Sequence, residues 1–211
     1  MKGAWLVGVV GVVALAYITL NTLRTEGLDP RGLERGTRLP PFAMPTAASA
    51  SDGDANIATK PDSGPEGDVP ACSVRGPEVL NVCELAERGP VVLAFVVTRS
   101  RECARQVDVL DRVARRFGGV AFAAVAVRED HDDLRATVRE RGWRVPVGYD
   151  HDGAVANLYG VGAVCPLLTF AGRDGRVAGT ELGFLDERAL TATATALAAG
   201  RPLSTTTPAA P

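Results

Sequence analysis

The sequence lacks any tract rich in lysine and arginine, and its formal net charge at pH 7 is only −2. It therefore has no electrostatic footprint of a nucleic-acid-binding protein. Histidine is scarce, with 2 residues, and neither lies near Cys72 or Cys83. The cysteine spacing does not fit a zinc site either, so we assign no metal and no other cofactor. Internal repeats are absent, and 211 residues with 46% hydrophobic content favour one globular domain with extensions.

The N-terminal segment predicts a membrane anchor. Residues 4–20 carry no charge and are nearly all apolar, and they just reach the roughly 17–25 residues that a membrane-spanning helix needs. Apolar residues continue past residues 14–16, the alternative cleavage site of a secretory signal peptide. We therefore interpret residues 1–22 as an uncleaved signal-anchor helix in the cell membrane. Lys2 favours a cytoplasmic N-terminus, although arginines beyond the helix oppose it.

Small and polar residues separate this anchor from the domain. Residues 23–70 are rich in Pro, Gly, Ala, Ser, Thr and Asp and show no apolar periodicity, which predicts a flexible linker. Within them, RLPPFAMP is an exception, because Leu39, Phe42 and Met44 are suited to holding a short extended segment on the domain. We place the domain at residues 71–200 and predict a disordered tail over residues 201–211, which are polar and proline-rich.

Strand and helix patterns alternate within the domain. The runs VVLAFVV (91–97) and VAFAAVAV (120–127) predict strands that are buried on both faces, and a helical pattern follows each. A short strand, a short helix, a hairpin turning at Asp174-Gly175 and a closing helix complete the order. This order predicts an α/β fold with a mixed central sheet flanked by helices.

Three stretches of the domain resemble the TlpA/ResA-type membrane-anchored redoxins, which have a thioredoxin-like fold. VVLAFVVTRSREC lies where that family has a strand leading into its Cys-x-x-Cys motif. WRVPVGYDHDGAVANLYGV and CPLLTFAGRDGRV are similar to its later strand–helix segment and its cis-proline loop. The resemblance implies that Ser100 occupies the position of the first cysteine of this motif, which attacks the substrate, and that Cys103 occupies the position of the second, which resolves the intermediate. Because a serine hydroxyl cannot replace a thiolate, the ordinary two-cysteine cycle is not available.

The resemblance also implies how the remaining site residues are arranged. Pro166 matches the cis-proline, so Cys165 directly before it is expected to lie close to Ser100 and Cys103. A Cys103–Cys165 redox pair would replace the missing partner, and two close but unbonded thiols are the other interpretation. We expect Ser100 to cap the helix through its hydroxyl. Cys103 in the first helical turn is either a stabilised thiolate or a small core residue.

Cys72 and Cys83 are expected to form a structural disulfide, since they close a short loop ahead of the first buried strand. Of the three pairings that four cysteines allow, this one together with Cys103–Cys165 fits the implied fold. A stable disulfide indicates an oxidising compartment, so we place the domain on the extracytoplasmic side. The other side chains of note are interpreted as solvated (His131 and His151) or as packing residues (Trp143 and Tyr159).

Three functions stay open. The first, which we favour, is an extracytoplasmic thiol–disulfide oxidoreductase that exchanges with protein thiols and disulfides through Cys103 and Cys165. The second is a peroxiredoxin-like thiol peroxidase, because Ser100-x-x-Cys103 resembles that family's Thr-x-x-Cys; Cys103 would be oxidised and Cys165 would resolve it. The third is a degenerate thioredoxin-fold module that binds a partner protein beside Pro166 without redox activity. The exposure of the two cysteines discriminates among them.

Overall fold

The computed structural model describes residues 31–63 and 68–203. The predicted anchor over residues 1–22 lies outside them, and no helix within the described ranges is long and apolar enough to cross a membrane. The described elements are, in chain order, β1 (Ala43–Pro45), β2 (Val79–Asn81), α1 (Val82–Arg88), β3 (Val91–Val96), α2 (Arg101–Ala114), β4 (Ala121–Val127), α3 (His131–Arg141), β5 (Val147–Asp150), α4 (Ala154–Leu158), β6 (Leu167–Ala171), β7 (Val177–Leu182) and α5 (Glu187–Ala198).

Five strands form the central sheet in the order β5-β4-β3-β6-β7. Strand β3 pairs parallel with β4 and antiparallel with β6, so the sheet is mixed, as the sequence patterns predict. All of β3 is buried, because its continuous apolar run can pack on both faces of the sheet. Helix α2 begins a few residues beyond the end of β3. The connection between them therefore lies at the carboxyl end of the central strand.

Each face of the sheet carries its own apolar cluster, because side chains alternate along a strand. Val92 and Val96 belong to the cluster that includes residues of helices α2 and α5, whereas Leu93 and Phe95 belong to the cluster on the other face. Tyr159 is fully buried in the second cluster, with its ring centroid 5.1 Å from that of Phe95. Tyr159 is thus a packing residue, as expected from the sequence.

The chain from residue 31 to residue 63 is packed onto the domain, so the prediction of a flexible linker is wrong for this part of residues 23–70. Phe42 and Met44 are buried in the second cluster, as RLPPFAMP predicts. Strand β1 pairs with β2, and the hydroxyl of Tyr159 donates a hydrogen bond to the carbonyl of Pro40 at 2.8 Å. Composition is misleading here because small side chains such as Ala55 are buried without leaving an apolar pattern.

Part of the same segment covers the edge of the sheet at β7. The backbone N–H of Gly36 donates to the carbonyl of Val177 at 2.8 Å, and the N–H of Val177 donates to the carbonyl of Thr37 at 2.8 Å. This pairing occupies groups that an open edge strand would expose to other chains. At the C-terminus, Leu203 packs against the first cluster, so the predicted disorder of residues 201–211 is wrong for its first three residues. Residues 204–211 lie outside the described ranges.

Candidate active site

Cys103 lies in the first turn of α2 and is only 4% exposed. Its neighbours belong to the apolar cluster beneath α2, so its sulfur faces the interior. Ser100 holds the N-cap position, and its carbonyl accepts a hydrogen bond from the N–H of Ala104 at 2.9 Å. Its hydroxyl, however, makes no capping hydrogen bond, so the predicted side-chain cap is wrong. Ser100 therefore caps the helix through its backbone carbonyl, and the residue is half-buried.

The loop before β6 brings the second sulfur to this helix. The Cys165–Pro166 peptide is cis, and the buried Pro166 accepts a hydrogen bond from the N–H of Gly183 at 2.8 Å. Cys165 forms a disulfide with Cys103, and their Cα atoms lie 5.7 Å apart. The structure thus brings together Ser100, Cys103, Cys165 and Pro166, as the resemblance implies. Their roles in exchange stay predictions.

The backbone beyond β3 contacts Cys165 directly. The N–H of Val97 donates to the Sγ of Cys165 at 3.3 Å. Hydrogen bonds to a sulfur favour its thiolate form. Cys165 is half-buried, and it lines a cavity of about 280 Å³ that Cys103 does not reach. The two sulfurs of the pair therefore differ in access: one faces the core and the other a cavity.

Glu129 fixes the loop that carries this N–H donor. Its carboxylate accepts a hydrogen bond from the N–H of Thr98 at 2.5 Å and pairs with the guanidinium of Arg99 at 3.3 Å. The side chain of Glu129 is only 1% exposed, and a buried carboxylate requires such partners. Glu129 was not among the site residues predicted from the sequence. Its position two residues after a buried strand that runs parallel to β3 was the available signal, since such strand ends meet at one edge of the sheet.

Arg128, also missed, lies in the same cavity as Cys165. Its backbone has a φ of 52°, an uncommon left-handed conformation for a residue with a side chain. The side chain crosses Gly153, where an added Cβ would lie 2.7 Å from the Nε of Arg128. That Nε donates a hydrogen bond to the carbonyl of Asp152 at 3.3 Å. A glycine at 153 is therefore needed for this course of the arginine side chain.

The other disulfide and the two histidines lie outside this site. Cys72 and Cys83 are bonded, as expected, with their Cα atoms 5.5 Å apart. His131 is not solvated, contrary to the prediction: it is 6% exposed, stacks on Tyr149 and bonds to Asp52 through Nδ1. The pKa of Tyr149 is raised, mainly by burial. The hydroxyl of Tyr149 forms a hydrogen bond with Nδ1 of His151, which is exposed. No cluster of metal-ligating side chains occurs within residues 31–63 and 68–203.

Trp143 is buried and its indole N–H donates to the carboxylate of Asp108 at 2.7 Å. It is therefore a packing residue with its polar atom satisfied, in line with the sequence analysis.

Comparison with known proteins agrees with this fold. Residues 75–178 match the model of the AhpC/TSA family. No curated protein sequence matches the chain. Similar solved structures are a thiol:disulfide interchange protein of the thioredoxin family from Chlorobium tepidum, a secreted thiol-disulfide isomerase from Corynebacterium glutamicum, and a secreted Mycobacterium tuberculosis disulfide oxidoreductase homologous to E. coli DsbE.

The extent of these likenesses establishes the fold. The Chlorobium protein is 14% identical with a TM-score of 0.56, over 79% of this chain and 99% of its own. The Corynebacterium protein is 19% identical with a TM-score of 0.53, over 59% and 79%. The Mycobacterium protein is 21% identical with a TM-score of 0.50, over 56% and 89%. The predicted thioredoxin-like α/β fold is confirmed, and these neighbours are thiol–disulfide enzymes, in agreement with the enzyme class expected from the sequence.

Proposed function

We propose that this protein is a thiol–disulfide oxidoreductase of the TlpA/ResA type whose redox pair is Cys103–Cys165. One observation carries the proposal: Cys103, in the first turn of α2, is bonded to Cys165 on the cis-proline loop. Thiol–disulfide exchange needs two sulfurs within bonding distance, of which at least one is accessible. The pair meets both requirements, because Cys165 lines a cavity.

The same exposures argue against the two alternatives. A peroxidase that used Cys103 would have to admit peroxide to a sulfur in an open pocket, but Cys103 is 4% exposed and lies in an apolar cluster. A binding module without redox activity would be favoured by two buried sulfurs, whereas Cys165 is half-buried. Exchange through the Cys103–Cys165 pair therefore accounts best for the site.

Exposed apolar side chains beside the pair support a protein as the substrate. Val164 is 51% exposed, Phe184 45% and Leu182 36%, and these are three of the four large apolar residues exposed in the described part of the chain. Val164 precedes Cys165, and the segment 182–184 is bonded to Pro166 through the N–H of Gly183. Apolar patches rimmed by polar groups are typical of protein-binding surfaces.

We also propose that residues 1–22 anchor the domain to the outer face of the cytoplasmic membrane. Two observations support this anchor: the apolar N-terminal segment, and the two disulfides, because disulfides persist in oxidising compartments. In cells, the full chain should then sediment with membranes and its domain should be cleaved by protease added to spheroplasts. Recovery in the soluble cytoplasmic fraction would contradict this part of the proposal.

Exchange activity tests the central proposal. The full chain should reduce or oxidise a disulfide-bonded probe peptide, and the Cys103–Cys165 pair should titrate at a moderate potential, roughly −120 to −270 mV as in known exchange catalysts. Replacing both residues by alanine should abolish exchange. The matched control, alanine at both Cys72 and Cys83, should keep it. A wild-type pair that neither opens across this range nor exchanges with the peptide would refute the proposal.

A further inference from the structure

We infer that Cys165, not Cys103, is the sulfur that forms the mixed disulfide with the substrate, and that Arg128 selects substrates carrying a carboxylate near the reacting cysteine. This inference rests on the proposed function and assigns the roles within it. In the family that this chain resembles, the sulfur that attacks the substrate belongs to the first cysteine of the Cys-x-x-Cys motif. Here that position is Ser100, and the accessible sulfur comes from another part of the chain.

Access decides which sulfur a substrate can reach. Exchange requires the incoming sulfur to approach one sulfur of the disulfide directly. Cys103 is 4% exposed and packs in the apolar cluster beneath α2, which closes the path to it. Cys165 is half-buried and lines the cavity of about 280 Å³, together with Val97 and Val164. A substrate sulfur in this cavity meets Cys165 first.

The surroundings of Cys165 also suit the charge that develops on its sulfur in the second step of exchange, when the mixed disulfide is resolved and the Cys165 thiolate is released. The N–H of Val97 already points at its sulfur, 3.3 Å away, and the buried carboxylate of Glu129 holds the neighbouring Thr98 in place. A fixed donor stabilises a thiolate without having to reorganise when the bond breaks.

Among the described residues that line the cavity, Arg128 is the only charged one, and most of the others are apolar. Its guanidinium donates from Nε to the carbonyl of Asp152 and forms no ion pair with a carboxylate in the described part of the chain. Burial raises the pKa of the nearby Asp150, whose carboxylate accepts hydrogen bonds from Val155 and Ala156, and the charge of Arg128 opposes that rise. A cation that forms no salt bridge, in an apolar cavity beside a sulfur, fits an anionic group on the substrate.

The exchange starting from the oxidised pair balances as follows. A thiolate of a substrate dithiol attacks the Sγ of Cys165, the Cys103–Cys165 bond breaks, and the Cys103 thiolate leaves and takes up a proton. The second substrate thiolate then attacks the substrate sulfur bound to Cys165, which forms the substrate disulfide and releases the Cys165 thiolate. Two electrons pass from the substrate dithiol to the pair, and the reverse sequence reduces a substrate disulfide.

Two single variants test the assignment of the attacked sulfur. The full chain with Cys103→Ala should release the coloured thiolate from dithiobis(nitrobenzoate) and retain the other half of the reagent on Cys165. Cys165→Ala should react at least about 100-fold more slowly, because Cys103, the thiol of the pair that remains in this variant, is buried. Circular dichroism checks that both variants fold. In the reduced wild type, limiting iodoacetamide followed by peptide mapping should label Cys165 first, and this measurement does not depend on any variant.

A matched pair of reagents tests the role of Arg128. In the Cys103→Ala background, Arg128→Gln should slow the anionic dithiobis(nitrobenzoate) by about five- to tenfold and leave neutral dithiodipyridine unchanged. The control Arg139→Gln, at an exposed arginine on α3, should change neither rate. Added salt should slow the anionic reagent with Arg128 present and have little effect after its replacement, because screening weakens exposed charges.

The outcomes separate this inference from the proposed function. If the wild type exchanges but Cys165→Ala reacts as fast as Cys103→Ala and the first alkylation is found on Cys103, the assignment of Cys165 is overturned while the oxidoreductase stands. If Arg128→Gln slows both reagents equally, or neither, the selection of carboxylates is overturned. If the wild-type pair is inert towards the probe peptide, both the proposed function and the inference fail.

Discussion

The disulfide Cys72–Cys83 is expected to stabilise the domain without taking part in exchange. In the chain-entropy account, a cross-link between residues 11 apart contributes about 2.8 kcal/mol to the free energy of unfolding. Replacing both cysteines by alanine should therefore lower it by that amount. The domain should remain folded, because the buried amide of Asn81 spans the same loop. It donates to the carbonyls of Ala71 and Val74 and accepts from the N–H groups of Cys83 and Glu84.

Urea unfolding followed by circular dichroism measures the change in the free energy of unfolding. In thermal unfolding of a domain of this size, a loss of about 2.8 kcal/mol lowers Tm by roughly 6–11 °C. The slope of the free energy against urea should rise modestly, because the denatured chain expands when the cross-link is lost. Exchange with the probe peptide should be unchanged. A loss below about 0.5 kcal/mol, or a folded variant without exchange activity, would refute the division into a structural and a redox disulfide.

Two further predictions concern buried carboxylates. Glu129→Ala should cost about 1–3 kcal/mol by leaving the N–H of Thr98 without its partner, and it should slow exchange. Glu129→Gln, which keeps an acceptor, should have a smaller effect in the same unfolding and exchange assays. Burial raises the pKa of Asp150 above its ordinary value of 3.8, so the folded state binds this proton more tightly than the unfolded chain. The contribution of Asp150 to stability should therefore fall as the pH rises from about 3.8 to the folded pKa. Urea unfolding at several pH values in this range measures the free energy of unfolding of the wild type minus that of Asp150→Asn. This difference should fall as the pH rises. A difference that does not change with pH would contradict the prediction.

Local patterns were sufficient to predict the central elements. The uninterrupted apolar runs of β3 and β4 predict strands buried on both faces, and both strands lie in the middle of the sheet. Asp174-Gly175 predicts the hairpin turn between β6 and β7. The order of these elements is enough to suggest the fold, because hydrophobic periodicity is a property of neighbouring residues.

Local patterns failed where burial depends on distant contacts. Residues 31–63 resemble a linker in composition, yet Phe42 and Met44 fill a space that the sheet and α4 leave open. His131 lies in an acidic stretch, yet Tyr149 and Asp52 enclose it. In both cases the deciding contacts come from segments far along the chain, which composition in a short window cannot represent.

The sequence by itself determined the chemistry that is present: Ser100, one cysteine three residues after it, and another directly before Pro166. Tertiary structure alone decided which sulfur is accessible and what surrounds it. Cys103 and Cys165 are 62 residues apart, and they meet because β6 runs antiparallel to β3, so that β6 begins beside the end of β3, which leads into α2. Arg128 reaches the same cavity because Gly153, on another loop, has no side chain to block it. Access and charge at a sulfur depend on these long-range contacts, and only the folded chain makes them.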